Sequence, residues 1–335
     1  MNLSIIIVNY KTPLLVNACL KSVFENTSGI EFEVIVVDND SGDDTELIIR
    51  KDFPDVQFIR MNYNAGFARA NNEGIRRSKG EAVLLLNSDT IVEDEAITVC
   101  TMDFLSSAYT ACGVQLLNPD RSPQISGNYA MKGGLNYLLP LPYVGKILRW
   151  MAIVLFKAKK PNVPEAKGIV EVDWINGAFL MVKKNAVEKA GLLDEDFFLY
   201  AEEAEWCYRL KKTGGLCIYG DLHVIHLQGE SAETAFGKSS KGYFDLYSRK
   251  GLQIMVSNFL RIRKQFGLGW FFFDMAVYFF TMPFFFIGVL LDTILRQNKR
   301  AYSFTQWWGF CKNIFHLLYY SGKMIRGRRY FYKVL

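Results

Sequence analysis

Four short apolar runs, each stopped by polar residues, set the strongest limit on how this chain folds. LSIIIV (3–8) runs into Asn9-Tyr10, and EVIVV (33–37) runs into Asp38-Asn39. VQFIRM (56–61) runs into Asn62 through Gly66, and VLLL (83–86) into Asn87-Ser88-Asp89. Between them lie helix-like stretches: one opened by Thr12-Pro13 and carried through Leu20 and Val23, one through Leu47 to Ile49, and one near 67–78. Unbroken apolar strands alternating with helices predict a mostly parallel sheet with helices on both faces, an α/β fold. Ligands of such sheets bind beyond the carboxyl ends of the strands. All four ends here are polar, so the site is expected along that rim.

The residue types at the rim suggest a ligand. Carboxylates among Asn- and Gly-rich turns suit a nucleotide-diphospho-sugar. Asp38 offers an acceptor for the imide N–H of a pyrimidine, Gly66 lets backbone approach a phosphate, and Arg69 or Arg77 supplies positive charge. A diphosphate leaving group calls for a hard divalent cation, Mg²⁺ or Mn²⁺, and Asp89 is the candidate oxygen ligand. A dinucleotide-dependent dehydrogenase is excluded locally, because Asn9 to Leu20 contains no glycine where G-x-G-x-x-G would stand.

A second constellation is LYAEEAEWCYR (199–209). On a helix, Leu199, Glu203, Trp206, Cys207 and Leu210 share an apolar stripe, and Glu202, Glu205, Arg209 and Lys212 share the other side. Glu202 and Glu205 are then expected on a solvated face, with Glu205 and Arg209 an i, i+4 pair. Glu203, a carboxylate among Leu, Trp and Cys, is the candidate base for a hydroxyl proton. A lone histidine is more often a core residue than a ligand. His226, with Gly229 and Ser231 behind it in HLQGES, can nonetheless complete a metal site as a neutral imidazole.

The rest of the chain changes character. Residues 118–170 hold Pro119, Pro123, Pro140 and Pro142 and the apolar, basic piece KILRWMAIVLFKAKK (146–160). That pattern predicts a surface excursion with one amphipathic helix, or a membrane- or acceptor-facing flap. Beyond it, Trp174 to Val182 reads as a strand, Lys183 to Ala190 as a helix, and LCIYG and HVIHL as short strands. From Leu246 to Leu335 there are 14 Lys or Arg against only Asp274 and Asp292, a balance of +12, and the remainder carries −7. Trp270 to Leu291 has Asp274 as its only charge and meets the length and apolarity of a membrane span. Pro283, Asp274 and basic clusters on both flanks fit a helix lying in the interface of an anionic membrane equally well, and a buried helical core is the third reading. Nucleic acid is a poor partner, because the cations flank apolar helices rather than polar grooves. The six cysteines form no C-x-x-C pair, which points to a reducing compartment. Met1 leads almost directly into the first apolar run, so no secretory signal peptide is expected.

These pieces resemble a known family. IIIVNY, VVDNDSGD, NYNAGFARANNEGI, LLLNSDT, WINGAFLMVKK, FFLYAEEAEWCYRL and HLQGES follow the order typical of family 2 glycosyltransferases, most like the bacterial rhamnosyltransferase branch, over residues 2 to 231. The resemblance implies the nucleotide-diphospho-sugar transferase fold called GT-A and inverting transfer with one divalent cation. It implies that Asp38 contacts the base, that Asp89 is the retained acid of an Asp-x-Asp metal motif begun here by Asn87, that Glu203 is the base and that His226 is a late metal ligand. Donor contacts are expected from Asn9, Tyr10, Asp38, Asn39, Asn64, Gly66, Arg69, Asn72, Asn87 and Ser88. Acceptor contacts are expected from Trp174, Asn176, Gly177 and Trp206, with Glu202 and Glu205 as rival bases. The expected organisation is a GT-A catalytic domain over 1–235, with 118–170 variable, and a membrane-associating helical region over 236–335. The expected activity is transfer of one sugar, L-rhamnose from dTDP-rhamnose or another sugar from a UDP or GDP donor, to a polyprenyl-diphosphate-linked glycan at the cytoplasmic face of the inner membrane. Two rivals are a sugar nucleotidyltransferase, which needs a Gly-rich loop absent from Asn9 to Pro13, and a non-catalytic membrane scaffold.

Overall fold

The computed structural model describes residues 1–130, 132–156, 162–163, 165–227, 245–296 and 301–335. They form two compact units. The first comprises Met1–Tyr129, Asn162–Phe198 and Glu202–Lys238, and the second Ala130–Pro161, Leu199–Ala201 and Ser239–Leu335. The excursion expected over 118–170 is thus divided, with 130–161 grouping with the tail.

The first unit opens with β1 (Leu3–Asn9), α1 (Pro13–Glu25), β2 (Phe32–Asp38), α2 (Thr45–Asp52), β3 (Gln57–Arg60), α3 (Gly66–Arg77) and β4 (Ala82–Asn87). These elements match the expected alternation, and β1, β2, β3 and β4 pair in parallel. β5 (Thr90–Val92), α4 (Ala96–Ser106), β6 (Ala111–Leu117) and β7 (Gly127–Asn128) follow. In the second unit the chain forms α5 (Val144–Phe156) before returning through β8 (Asn162–Val163), β9 (Ile169–Val172), β10 (Trp174–Ile175), β11 (Phe179–Lys183), α6 (Lys184–Ala190), α7 (Glu202–Leu210) and β12 (Leu216–His226). Among the described residues, nine strands form one mixed sheet in the order β3-β2-β1-β4-β11-β6-β12-β5, with β9 also on β12. β11 runs antiparallel to both β4 and β6. β7, β8 and β10 form a small separate sheet.

The parallel strands are buried on both faces: Ile5, Ile6 and Ile7 of β1 and Leu84 and Leu85 of β4 are all fully covered. Each such side chain contributes about 2 kcal/mol of apolar burial, which is why the runs lack polar alternation. The sulfurs of Cys100 and Cys112 lie 3.6 Å apart in this core, and burial pushes the Cys112 thiol up. These thiols act as small apolar side chains.

Three expected elements differ. The strand over 174–182 is split into β10 and β11 by the turn at Asn176-Gly177-Ala178, and the two short strands over 216–227 are one β12, irregular between Tyr219 and His223. Leu199 is not on the helix with Glu203. Tyr200 (φ 72°) and Ala201 (φ 66°) take left-handed backbone, so α7 starts at Glu202.

In the second unit, α8 (Arg249–Phe266), α9 (Leu268–Arg296) and α10 (Phe304–Ile325) follow one another. The polarity of α9 is arranged against the rule for a water-facing helix. On α9 the covered stripe is Phe271, Asp274, Met275, Tyr278, Phe285, Val289 and Asp292, so both carboxylates point inward. Asp292 accepts from Tyr143 Oη at 2.8 Å. The outward face presents Phe272, Phe273, Phe280, Phe284, Ile287, Leu291 and Leu295, without a charge. On α10, Phe304, Trp308, Phe315 and Tyr319 are exposed beside Lys312 and His316.

Candidate functional site

The strand register brings the polar rim together. Asn9 pairs with Asp38 in the β1–β2 ladder, and Val8 with Asn87 in the β1–β4 ladder. Asp38 is buried. Its Oδ1 accepts from Asn9 Nδ2 at 2.9 Å and from Ser41 Oγ, and its Oδ2 accepts from the Ser41 N–H at 3.0 Å. Asn9 is further tied to Thr12 and Thr45. This network shapes the β2 turn and leaves one lone pair on Asp38 Oδ2 as an acceptor. Asn39 donates to Asn64 Oδ1 at 3.0 Å and accepts from the Ala65 N–H at 2.7 Å, so these two residues fasten the β2 end to the start of α3. Tyr10 is half-buried at the end of β1, and Ser88 is buried 3.4 Å from Thr12 Oγ1.

Four expected contacts are corrected here. Gly66 (φ +74°) is glycine because a Cβ there would lie 2.2 Å from the Phe198 carbonyl oxygen, so its open side faces protein backbone and not a phosphate. Asn72 is fully buried and spends its amide on Leu193 and Glu195, which removes it from any ligand surface. Arg77 pairs with Glu73 in the last turn of α3, at the end of the helix remote from the rim. Trp206 is fully buried, with its indole N–H donating to the Gly191 carbonyl at 2.8 Å, so it packs the core instead of meeting an acceptor. Arg69 donates to the Glu195 carbonyl at 2.9 Å and to Tyr63.

The acids of α7 reverse the expected pattern. Glu202 is 3% exposed and Glu205 7% exposed, whereas Glu203 is only half-buried. Glu205 is held by a bidentate contact from Arg209, with Oε2 to Nη2 at 2.7 Å. α7 is covered on more than one side, so the expected solvated face is closed and Glu203 is the least covered of the three acids. A Cβ added at Gly177 would lie 3.6 Å from the Glu203 Cβ and Cγ. Ala178 in turn accepts from the Asn87 N–H at 3.1 Å. The turn between β10 and β11 therefore sets Glu203 beside the end of β4, where Asn87 and Asp89 lie. Asn176 fixes that turn by accepting from the Ala178 N–H. Trp174 is half-buried, and its indole N–H has no hydrogen-bond partner among the described residues.

Asp89 and His226 meet. β5 pairs with the end of β12, His226 opposite Thr90, and His226 Nε2 lies 3.3 Å from Asp89 Oδ1 and 3.4 Å from Asn87 Nδ2. The tautomer follows from a residue that sequence reasoning missed. Gln124 donates through Nε2 to the His226 carbonyl at 2.6 Å and to Asn118 Oδ1 at 2.8 Å. Its Oε1 therefore faces His226 Nδ1 at 3.0 Å, and Nδ1 donates. Nε2 is then an acceptor, 3.4 Å from the Asn87 amide nitrogen, which can donate to it, and 3.3 Å from the Asp89 carboxylate oxygen. Adjacent corners of an octahedron with ~2.1 Å bonds are about 3 Å apart, so the donor set fits a hard or borderline cation with most positions left for other oxygen ligands. A Gln in a loop without a motif gives no sequence signal, and its hydrogen bond to the His226 ring is visible only in space. Cys19 lies beneath, its thiol pushed up by burial and by the charge of Asp89. Gly229 and Ser231 lie outside the described residues.

The model of the family described as Glycosyl transferase family 2 matches residues 4–153. The low-salt glycan biosynthesis hexosyltransferase Agl10 of Haloferax volcanii is 30% identical over 256 residues, covering 74% of this chain and 74% of that protein. The poly-beta-1,6-N-acetyl-D-glucosamine synthase of Staphylococcus epidermidis is 25% identical over 178 residues, 52% of this chain and 38% of that protein. Among solved structures, the mannosyltransferase PcManGT from Pyrobaculum calidifontis, in complex with GDP-Man and Mn²⁺, has a TM-score of 0.50 at 14% identity, over 98% of this chain and 88% of that one. GalNAc-T7 with UDP, GalNAc and Mn²⁺ likewise scores 0.50 at 14% identity, over 82% and 56%.

Proposed function

Because the chain belongs to glycosyl transferase family 2 and has the GT-A fold, we propose that it moves one sugar from a nucleotide-diphospho-sugar, with inversion, onto a hydroxyl of a lipid-linked glycan. The observation that carries this reading is the meeting of Asp89 and His226 at 3.3 Å on the rim where Gly177 seats Glu203. Glu203, half-exposed, takes the proton of the acceptor hydroxyl, and the oxygen attacks the anomeric carbon from the face opposite the diphosphate. The C–O bond to the diphosphate breaks as the new glycosidic bond forms. Asn87, Asp89 and His226 hold the leaving group's end of the site. A divalent cation bound by Asp89 and His226 would supply charge neutralisation for the departing diphosphate. Trp174 and Asn176 face the acceptor side, and Asp38 keeps one acceptor for the base.

L-Rhamnose from dTDP-rhamnose is the proposed donor, on the motif order of the chain. The relatives' names, a hexosyltransferase and an N-acetylglucosamine polymer synthase, support transfer of another hexose or of N-acetylglucosamine as the second reading. A thermal-shift panel of dTDP-rhamnose, UDP-N-acetylglucosamine and GDP-mannose with Mn²⁺ decides between them. The expected result is a rise of several degrees with dTDP-rhamnose alone. A shift only with the UDP or GDP donor would replace the rhamnose assignment.

The helical unit supports a place at the cytoplasmic face of the inner membrane. α9 is long and apolar enough to cross a bilayer by length and composition, and only 22% of its most apolar window is buried. A soluble core helix would bury its phenylalanines and expose its acids; α9 covers both acids and exposes Phe272, Phe273, Phe280, Phe284 and Phe286, with Phe271 and Phe285 buried. Arg326, Arg328, Arg329 and Lys333, all exposed, would meet anionic headgroups at ~1 kcal/mol each. Vesicles containing phosphatidylglycerol are expected to co-float the protein, and vesicles of phosphatidylcholine alone to do so less. Phe280→Glu with Phe284→Glu, both on the outward face, is expected to weaken flotation at least ~10-fold. Unchanged flotation of that variant would remove α9 from the membrane contact.

A further inference from the structure

Two polar side chains sit at the centre of α8, whose covered face is otherwise apolar except for Arg261 near its end. Gln253 and Ser257, one turn apart, are both 0% exposed among Ile254, Met255, Val256 and Phe259. Gln253 Nε2 donates to Ser257 Oγ at 3.0 Å and to the Tyr332 carbonyl at 3.0 Å, and its Oε1 accepts from the Val334 N–H at 2.8 Å. Ser257 Oγ gives its own proton to the Leu199 carbonyl at 2.7 Å. Every hydrogen of the amide and hydroxyl is used. Flipping the amide would set its oxygen against the Tyr332 carbonyl. Apolar residues of similar volume would hold a helix about as well as such a network does. The meaning of the network lies in where it ends.

It ends on the carbonyl just before Tyr200 and Ala201, two consecutive non-glycine residues with left-handed backbone. L side chains resist that conformation, and it persists only where the surroundings over-determine it. Glu202 is the next residue, and Glu203 is in the first turn of the helix it begins. We propose that Ser257, held in place by Gln253 and the Tyr332–Val334 segment, is a positioning residue for sugar transfer. Its bond to the Leu199 carbonyl locks the left-handed pair and so fixes the start of α7, which aims the Glu203 carboxylate. This assignment rests on Glu203 being the base.

The test compares wild type, Ser257→Ala, Ser257→Ala with Ala201→Gly, and Glu203→Gln. Each is assayed for kcat, donor KM and melting temperature, with whichever of dTDP-rhamnose or UDP-N-acetylglucosamine the thermal-shift panel selects and a synthetic polyprenyl-diphosphate-linked monosaccharide. Ser257→Ala is expected to keep donor KM and to lose kcat by ~10–100-fold, the cost of a small misplacement of a reacting group. Adding Ala201→Gly is expected to restore most of that kcat, because glycine enters the left-handed region without steric cost. A merely structural role predicts the opposite, since the extra glycine costs further stability and recovers no turnover. If Ser257→Ala does not fold, Gln253→Met, which leaves the hydroxyl in place but free to rotate, is expected to show the same split of kcat from KM. Unchanged kcat in the folded variant, or a double variant no better than the single one, overturns the proposal. Turnover retained by Glu203→Gln overturns the reading of the base beneath it.

Discussion

Glu203→Gln is expected to bind the nucleotide-sugar as the wild type does and to lose transfer by ~10²–10⁴-fold, the range a positioned general base supplies. The substitution keeps the side chain's shape and its place beside Gly177, and removes only the ability to take a proton. The two neighbouring acids serve as internal controls. Glu205 is committed to Arg209 through three contacts of 2.7 to 3.0 Å, and Glu202 is buried. Glu205→Gln is therefore expected to show its effect in melting temperature, because it leaves the Arg209 guanidinium without its carboxylate partner. A 100-fold loss of kcat from Glu205→Gln alone, at normal stability, would transfer the base role to that residue.

Asp89→Asn is the second large effect. Asp89 is 1% exposed and shares the His226 Nε2 position at 3.3 Å. The amide preserves volume and removes the charge that a cation and the departing diphosphate require. Loss of ~10²–10³-fold in kcat is expected, as for other removals of a group that stabilises transition-state charge. The fold is expected to remain, because a buried carboxylate is costly to desolvate and its replacement by an amide relieves that cost. Steady-state transfer across a Mn²⁺ series checks it. Wild-type turnover in Asp89→Asn would mean that the rim acid does not serve the leaving group.

The chain makes some of this legible before any coordinates. The runs at β1, β2 and β4 read directly because strands buried on both faces carry no polar alternation, and their ends mark the rim without further information. Asp89 reads as a residue of that rim for the same reason, because it lies just beyond the end of β4. Its pairing with His226 is not visible in spacing, since the two lie far apart along the chain and meet only because β5 and β12 are antiparallel neighbours. The acids of α7 were hidden by a different cause. A helical wheel assumes one wet face, whereas α7 is enclosed so that Glu202, Glu205 and Trp206 are all buried. The polar residues at α3 misled because residue type does not distinguish an Asn that grips a ligand from one, like Asn72, that pins a passing loop. Gly66 is the same case, a glycine demanded by the Phe198 carbonyl rather than by a phosphate. On α9, composition left a buried core, a span and an interface open; the inward turn of Asp274 and Asp292 beneath an exposed apolar face is what it could not show.

The most direct test is calorimetric titration of dTDP and UDP into the wild type, Asp89→Asn and Glu203→Gln, each with and without Mn²⁺. Mn²⁺ is expected to tighten nucleoside diphosphate binding in the wild type and in Glu203→Gln alike, and to have no effect in Asp89→Asn, if Asp89 holds the cation and Glu203 is the base. Tightening by Mn²⁺ that survives in Asp89→Asn, or that is lost in Glu203→Gln, would contradict that assignment.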